Sequence, residues 1–361
     1  MANSNLTQAK TAKNDEFYTQ YSDIEKEMSA YLEYDENIFR GKTILLPCDD
    51  PEWSNFTKYF AQNFERFGLK KLISTSYAVE SKNVKGDYQP TLFELNNPQY
   101  DESKTRVKGK IFSITSDTSG DGKIDVNDLQ WTYLEGDGDF RSNEIKELRD
   151  EADIIITNPP FSLFREFLAW IVEADKKFLM IGNINVITYK EVFPLIRDNK
   201  AWLGTGMGRW ISGFIVPEFY ELYGTEARID ESGNRIIATN NCLWLTNLDH
   251  GRRHQPLSLM TMEENIKFSK HKEIKGHEYQ KYDNYDAIEV PFTDAIPSDY
   301  EGVMGVPISF LDKYNPEQFE IIGASDNGVV DEKYKLPHFK KHNEPYVDNQ
   351  KVYKRIFIRR K

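Results

Sequence analysis

Ile154-Ile155-Ile156-Thr157-Asn158-Pro159-Pro160-Phe161-Ser162-Leu163-Phe164-Arg165-Glu166-Phe167-Leu168-Ala169-Trp170-Ile171 reads as a buried strand, a tight turn and an amphipathic helix in one continuous run. The three isoleucines are β-branched and apolar, which suits a strand covered on both faces. Two consecutive prolines fix φ and donate no N–H, so the chain cannot continue as a strand beyond them. Ser162 is the expected N-cap of the following helix, and Phe164, Phe167, Leu168 and Ile171 recur at helical spacing, giving one apolar face to lay on a sheet. In open α/β sheets ligands sit beyond the carboxyl ends of the strands, which is where residues 158–161 project.

Asn158, Pro159, Pro160 and Phe161 are therefore the candidate catalytic residues. The Asn158 side chain and the rigidly held Pro159 carbonyl offer two acceptors close together, an arrangement suited to an exocyclic NH2 group. Phe161 adds a face for stacking a flat ring, an interaction worth about 1–3 kcal/mol per base in nucleic-acid sites. A proline turn that merely ends a strand is the plain alternative.

Outward from this unit the pattern repeats. Residues 42–46 read as a first strand, followed by Pro47-Cys48-Asp49-Asp50-Pro51-Glu52-Trp53-Ser54-Asn55 and a helix whose apolar face carries Phe56, Tyr59, Phe60 and Phe64. Residues 71–77 form the second strand, and a helix passing through Ile24, Met28 and Leu32 precedes the first. Hairpin strands are expected at 110–114 and 130–134, a helix at 144–149, and further strands at 178–181, 235–239 and 242–246. Strands alternating with helices predict an α/β protein with a mostly parallel central sheet.

Composition narrows the class. With 361 residues, 39% hydrophobic and 13% aromatic, the chain can bury a large core. Its apolar runs are too short to span a membrane, the first 15 residues are polar without a signal-like apolar stretch, and two cysteines make no disulfide framework, so a cytoplasmic protein is expected. A net charge of −12 and a pI near 5.2 argue against indiscriminate polyanion binding, so any nucleic-acid contact is local. Basic clusters gather late in the chain: Arg252, Arg253 and His254, then Lys267, Lys270, Lys272 and Lys275, then the terminal group ending in Lys361. A composition shift near Arg252 suggests a boundary between domains at 1–255 and 256–361, with a turn-rich insertion at 80–134.

Two other segments bear on chemistry. Asp49, Asp50 and Glu52 stand where a nucleoside cofactor is expected, and carboxylates there can accept from an amine or from ribose hydroxyls; an Asp-capped helix start is the alternative. Residues 117–128 place oxygens at positions one, three, five, nine and twelve of a loop with Gly122 sixth, as in a calcium loop. Strand-like flanks favour an Asp-Gly hairpin turn instead, and no metal site is expected; the six histidines lack ligand spacing and are expected at the surface.

Taken in order, Ala12-Lys13-Asn14-Asp15-Glu16-Phe17-Tyr18-Thr19-Gln20, Cys48-Asp49-Asp50-Pro51 with Ser54-Asn55-Phe56, Gly136-Asp137-Gly138-Asp139-Phe140-Arg141-Ser142, Thr157-Asn158-Pro159-Pro160-Phe161-Ser162-Leu163-Phe164-Arg165 and the segments 307–314 and 318–323 resemble the EcoRI-type adenine-specific DNA methyltransferases. The resemblance implies a Rossmann-like methyltransferase fold that uses S-adenosylmethionine, with a smaller C-terminal target-recognition region. It further implies that Phe17, Tyr18, Thr19, Cys48, Asp49, Asp50, Asp139 and Phe140 line the cofactor pocket and that residues 158–161 hold a flipped adenine of double-stranded DNA. Arg252, Arg253, Lys267, Lys270 and Lys272 are the candidate DNA contacts. A restriction endonuclease system without direct contact is the expected companion. RNA adenine or a protein glutamine remains the alternative substrate, since an amide nitrogen could use the same two acceptors.

Overall fold

The computed structural model describes residues 18–47, 49, 54–78, 95, 98–205, 211–216, 222, 227–237, 241–325 and 344–361. Phe17, Cys48 and Asp50 lie outside them. The chain divides into two units, the first made of residues 1–183 and 208–248, the second of 184–207 and 249–361. The second unit therefore begins at Asp249 and also takes an excursion, 184–207, that no composition shift announces.

In the first unit, β1 (Tyr18–Thr19), α1 (Tyr21–Tyr34), β2 (Thr43–Leu46), α2 (Asn55–Gln62), α3 (Phe64–Phe67), β3 (Lys71–Ser76), α4 (Glu102–Val107), β4 (Lys110–Ile114), β5 (Gln130–Tyr133), α5 (Asn143–Glu151), β6 (Ile154–Thr157), α6 (Phe164–Glu173) and β7 (Lys177–Asn183) follow in order. The excursion carries α7 (Phe193–Arg197) and β8 (Trp202–Leu203). The chain then supplies β9 (Phe214–Val216), β10 (Arg228–Ile229), β11 (Arg235–Ile237) and β12 (Cys242–Thr246) to the first unit.

Seven strands of that unit share one sheet in the order β5-β4-β3-β2-β6-β7-β12. The sheet is mixed rather than mostly parallel. Its centre is parallel, β3 on β2, β2 on β6 and β6 on β7, whereas β4, β5 and β12 run antiparallel at the flanks. Helical crossovers join the parallel pairs β2–β3 and β6–β7, whereas β4 and β5 pair as a hairpin across residues 115–129.

Both faces of the central strands are buried, as their continuous apolar runs demand. Ile44, Leu46, Ile154 and Ile156 join one core with Met28 and Tyr31 of α1 and Phe56 and Phe60 of α2, while Leu45 and Ile155 on the other face are equally enclosed. On that core Phe56 meets Trp244 of β12 edge-on, ring centroids 6.0 Å apart. Helix α6 lies so close to β7 that a Cβ on Gly182 would stand 2.6 Å from the Phe164 ring. Ser162 does not cap this helix: residues Phe161–Leu163 form a 3-10 turn, closed by the Leu163 N–H on the Pro160 carbonyl at 2.9 Å, and Leu163 takes the cap position. The proline pair sets this, because a rigid turn delays the first full helical turn by two residues.

The second unit contains a sheet ordered β13 (Ile288–Glu289), β14 (Met304–Pro307), β18 (Arg355–Arg360) and β15 (Phe319–Ala324), with a hairpin of β16 (Tyr346–Val347) and β17 (Gln350–Lys351) and the helix α8 (Met262–Phe268). Inside it Arg355 forks onto Glu289, Nε to Oε1 at 3.0 Å, and Tyr282 donates its hydroxyl to the same carboxylate; both charged side chains are about nine-tenths buried. His250, expected at the surface, is 2% exposed, with Nε2 2.9 Å from the Leu203 carbonyl oxygen; burial pushes its pKa down. Among the described residues no helix is long and apolar enough to cross a membrane.

Removing one partner of a buried ion pair strands the other. Glu289→Ala should therefore destabilise the second unit by about 3–5 kcal/mol, read from the urea midpoint of unfolding; a midpoint equal to that of the parent would show that the pair contributes nothing.

Candidate active site

The carboxyl ends of β2 and β6 lie side by side. Ile44 pairs with Ile154 and Leu45 with Ile155 in parallel register, so both strands release their loops at the same edge. There the Thr157 hydroxyl donates to the Pro47 carbonyl at 2.8 Å, crosslinking the last residue of β6 to the first residue after β2. Thr157 is fully buried, and an unpaired carbonyl at that depth would cost about 1–3 kcal/mol.

Beyond the crosslink on the β2 side stands Asp49, only 7% exposed. Its Oδ1 accepts from the Ser54 hydroxyl at 2.8 Å, and its backbone carbonyl accepts from the Ser74 hydroxyl. Thr57 of α2 in turn donates to Ser74 Oγ at 3.0 Å. Ser54 also caps α2, accepting the Phe56 N–H at 3.1 Å. Three hydroxyls thus hold one loop residue, and the helix start and the acidic side chain are positioned by the same serine.

Asn55, next along, donates its amide to the Thr19 carbonyl at 2.8 Å, which brings the N-terminal strand β1 to this edge. β1 is only two residues long and depends on β9, with Thr19 opposite Phe214. The entry to β9 is clamped from α1: the Asp23 carboxylate accepts from the Ser212 N–H at 2.8 Å and its hydroxyl at 3.0 Å, while Gln20 donates to Ser212 Oγ and to the Gly213 carbonyl. Burial raises the Asp23 pKa, and the Ser212 hydrogen bonds oppose that rise. Thr19 is 2% exposed, and its hydroxyl finds no hydrogen-bond partner among the described residues.

On the β6 side Asn158 and Pro160 are half-buried and Pro159 is buried. The half-buried Phe161 ring stands edge-on to Phe214 at 6.2 Å and 73°. Phe214 therefore serves both halves, its backbone paired with Thr19 and its ring bracing Phe161.

The fourth segment arrives at the end of β3. Asp137 accepts the Ala78 N–H at 2.8 Å, and Gly138 adopts φ +88° so close to the strand that a Cβ would lie 2.4 Å from the Ser76 carbonyl oxygen. Only glycine fits there. Asp139 follows, half-buried, with Arg141 reaching it through Nε at 2.9 Å and through the terminal nitrogen at 2.6 Å; this pairing holds its pKa below the ordinary carboxylate value. Phe140 is buried, its ring 4.3 Å from Phe167 of α6, so the residue anchors the loop to the core.

Tyr18, Thr19, Asp49, Asp139 and residues 158–161 are thus ordered at one edge of one sheet, although 139 positions separate Thr19 from Asn158 in the chain. Phe214, Thr57 and Ser74 join them without having stood out in the sequence. Hydroxyls inside the buried run Leu72-Ile73-Ser74-Thr75-Ser76 were a legible signal for Ser74; nothing local marks Phe214.

The basic candidates fall in the second unit. Arg252 is half-buried, donating to the Thr205 carbonyl and paired with Asp312. Arg253 is 7% exposed, lies 3.5 Å above the Trp202 ring and pairs with Asp249 at 3.1 Å. Lys267, Lys270 and Lys272 are exposed, with Lys270 2.7 Å from Asp294. In the 117–128 loop, between β4 and β5, the carboxylates of Asp117 and Asp128 accept backbone N–H groups of their own loop.

A family model described as "Adenine-specific methyltransferase EcoRI" matches residues 5–361. The chain belongs to this family. It is 50% identical over 342 residues to the Type II methyltransferase M.EcoRI of Escherichia coli, covering 93% of this chain and 94% of that one. The Type II methyltransferase M.MgeORF184P of Mycoplasma genitalium is 33% identical, covering 98% of each chain, and M.MpnI of Mycoplasma pneumoniae is 32% identical, covering 89% of this chain and 86% of its own. No solved structure matches. In this adenine-specific methyltransferase, Thr19, Asp49, Asp139 and residues 158–161 of the resemblance lie toward the carboxyl ends of β2, β3 and β6.

Two outcomes test this geometry. Thr157→Val keeps the shape and strands the Pro47 carbonyl, so stability should fall by about 1–3 kcal/mol in chemical denaturation. Arg141→Ala should raise the Asp139 pKa back to the ordinary carboxylate range, followed by NMR titration of the side-chain carbon. The sign follows from the depressed value: the pair's stabilisation is present above the ordinary carboxylate range and is lost as pH falls through the lowered pKa.

Proposed function

We propose that this methyltransferase transfers the methyl group of S-adenosylmethionine to the N6 amino group of an adenine flipped out of duplex DNA, at a specific sequence, within a restriction-modification system. The supporting observation is the parallel pairing of β2 with β6, locked by Thr157 on Pro47, which sets Asp49 and residues 158–161 on adjacent loops. A Rossmann-like binding mode follows, with the donor across the ends of β2 and β3 and the base beyond β6.

The residues present fit such a donor. The buried Thr19 hydroxyl has a hydrogen bond left to give, and Asp49 and Asp139 bring carboxylates able to accept from an amine or from ribose hydroxyls. Tyr18 of the same short strand is half-buried beside them. When bound, S-adenosylmethionine supplies an already activated methyl group on a sulfonium, so no strong base is needed on the enzyme.

Asn158 and the Pro159 carbonyl accept the two N6 hydrogens, aim the nitrogen lone pair and stabilise the positive charge that grows on nitrogen during attack. Pro159 can serve because its carbonyl is held by two fixed φ angles. Phe161, braced by Phe214, stacks on the base and offsets part of the few kcal/mol needed to unstack it. Lys267, Lys270, Lys272 and Arg252 contact DNA phosphates. Arg253, stacked on Trp202, supports that surface from beneath.

Asn158→Ala should lower turnover by at least about a hundredfold, the scale of one transition-state hydrogen bond, with cofactor affinity nearly unchanged. A labelled-methyl assay offering DNA, RNA and protein fractions measures turnover and substrate together. Equal labelling by variant and parent would remove Asn158 from its role; label in RNA or protein alone would remove DNA as the substrate.

A further inference from the structure

Helix α8 buries a polar residue and exposes an aromatic one. Asn265 and the C-cap residue Ser269 are buried in the second unit, 0% and 4% exposed. Phe268 points away from it and is 60% exposed. The Asn265 Oδ1 atom is buried with no hydrogen-bond partner among the described residues. An enclosed amide oxygen and a solvated phenyl ring both cost stability. Folding does not account for the orientation of Phe268.

The surroundings of the ring do. Lys267 holds its ammonium 5.1 Å from the Phe268 centroid, and Lys270, Lys272 and Lys275 are exposed in the turns beyond it, with Lys270 paired to Asp294, Glu273 among them and the exposed Glu263 and Glu264 set back in the first turn of the helix. The base beneath is firm: the His271 ring stacks on Phe292 at 3.7 Å and 3°, Ile274 is buried, and a capping box of Thr261 and Glu264 fixes the start of the helix. A bare aromatic ring on a rigid mount, with Lys267 beside it and further lysines on its C-terminal side in a chain whose net charge is −12, matches a polyanion that carries flat apolar faces.

We propose that Phe268 is a base-stacking contact of this protein with its duplex DNA substrate, inserting its ring against a base step while the adjacent lysines meet the phosphates. This rests on the reading of the substrate as DNA. The ring supplies a salt-independent part of affinity and the lysines a salt-dependent part, which separates the two experimentally.

The test uses the full-length protein and a short fluorescein-labelled duplex cut from DNA that the parent methylates, with anisotropy measured over a range of salt. Phe268→Ala should raise Kd by about five- to a hundredfold without changing the slope of log Kd against log salt, and Phe268→Trp should restore binding where Phe268→Leu does not. Lys267→Ala with Lys272→Ala should instead flatten the slope by about 0.9 for each phosphate no longer neutralised. Unchanged Kd for Phe268→Ala, or full rescue by leucine, overturns the stacking role while leaving the substrate reading intact. Failure of the parent to methylate any duplex overturns both. Sedimentation of parent and variant completes the set: a change in self-association with unaltered DNA affinity would assign the ring to a second copy of the chain, and unfolding midpoints confirm that the exposed substitution leaves the fold intact.

Discussion

The site depends on one hydrogen bond between neighbouring parallel strands, from the Thr157 hydroxyl to the Pro47 carbonyl. Parallel pairing makes β2 and β6 end at the same edge, yet the two loops that leave them would diverge without a crosslink. Because the bond is buried, water cannot replace it at low cost. Pro47 at the end of β2 and Thr157 at the start of the proline turn are consequently held together.

Around that crosslink the protein places polar groups inside its core in an ordered way. Ser54, Thr57 and Ser74 immobilise the backbone and side chain of Asp49, and Asn55 hands the order on to Thr19. Asp23 and Ser212 steady β9, whose Phe214 then touches both Thr19 and Phe161. Each of these groups is small and hydrogen-bonded locally, so the edge is rigid before any ligand arrives. Preorganisation of this kind is what charge stabilisation at a developing ammonium requires.

Much of this was legible in the amino-acid order. The apolar triplet before Asn158 and the double proline after it marked a strand and its end, and the helical spacing of Phe164, Phe167, Leu168 and Ile171 marked the helix beyond the turn. Ser162 misled, because the capping preference of serine is a local rule and the prolines before it impose a 3-10 turn. His250 misled for the opposite reason: a residue type usually found at the surface is carried inside by its neighbours. The strands β4 and β5 were legible as a hairpin and pair antiparallel as expected, but the antiparallel pairing of β4 on β3 and of β12 on β7 was not legible, since strand periodicity carries no direction.

The sequence by itself determined which segments are strands, which loops carry carboxylates or aromatic rings, and, through ordered motifs, the family. Only the tertiary structure decided that Thr19, Asp49, Gly138 and Phe161 share one edge, that Phe214 links two of them, and that Phe268 faces water while Asn265 does not. The physical reason is that periodicity encodes what each residue avoids or seeks within a few neighbours, whereas proximity across more than a hundred positions is created by sheet register and buried hydrogen bonds, which exist only once the chain has folded.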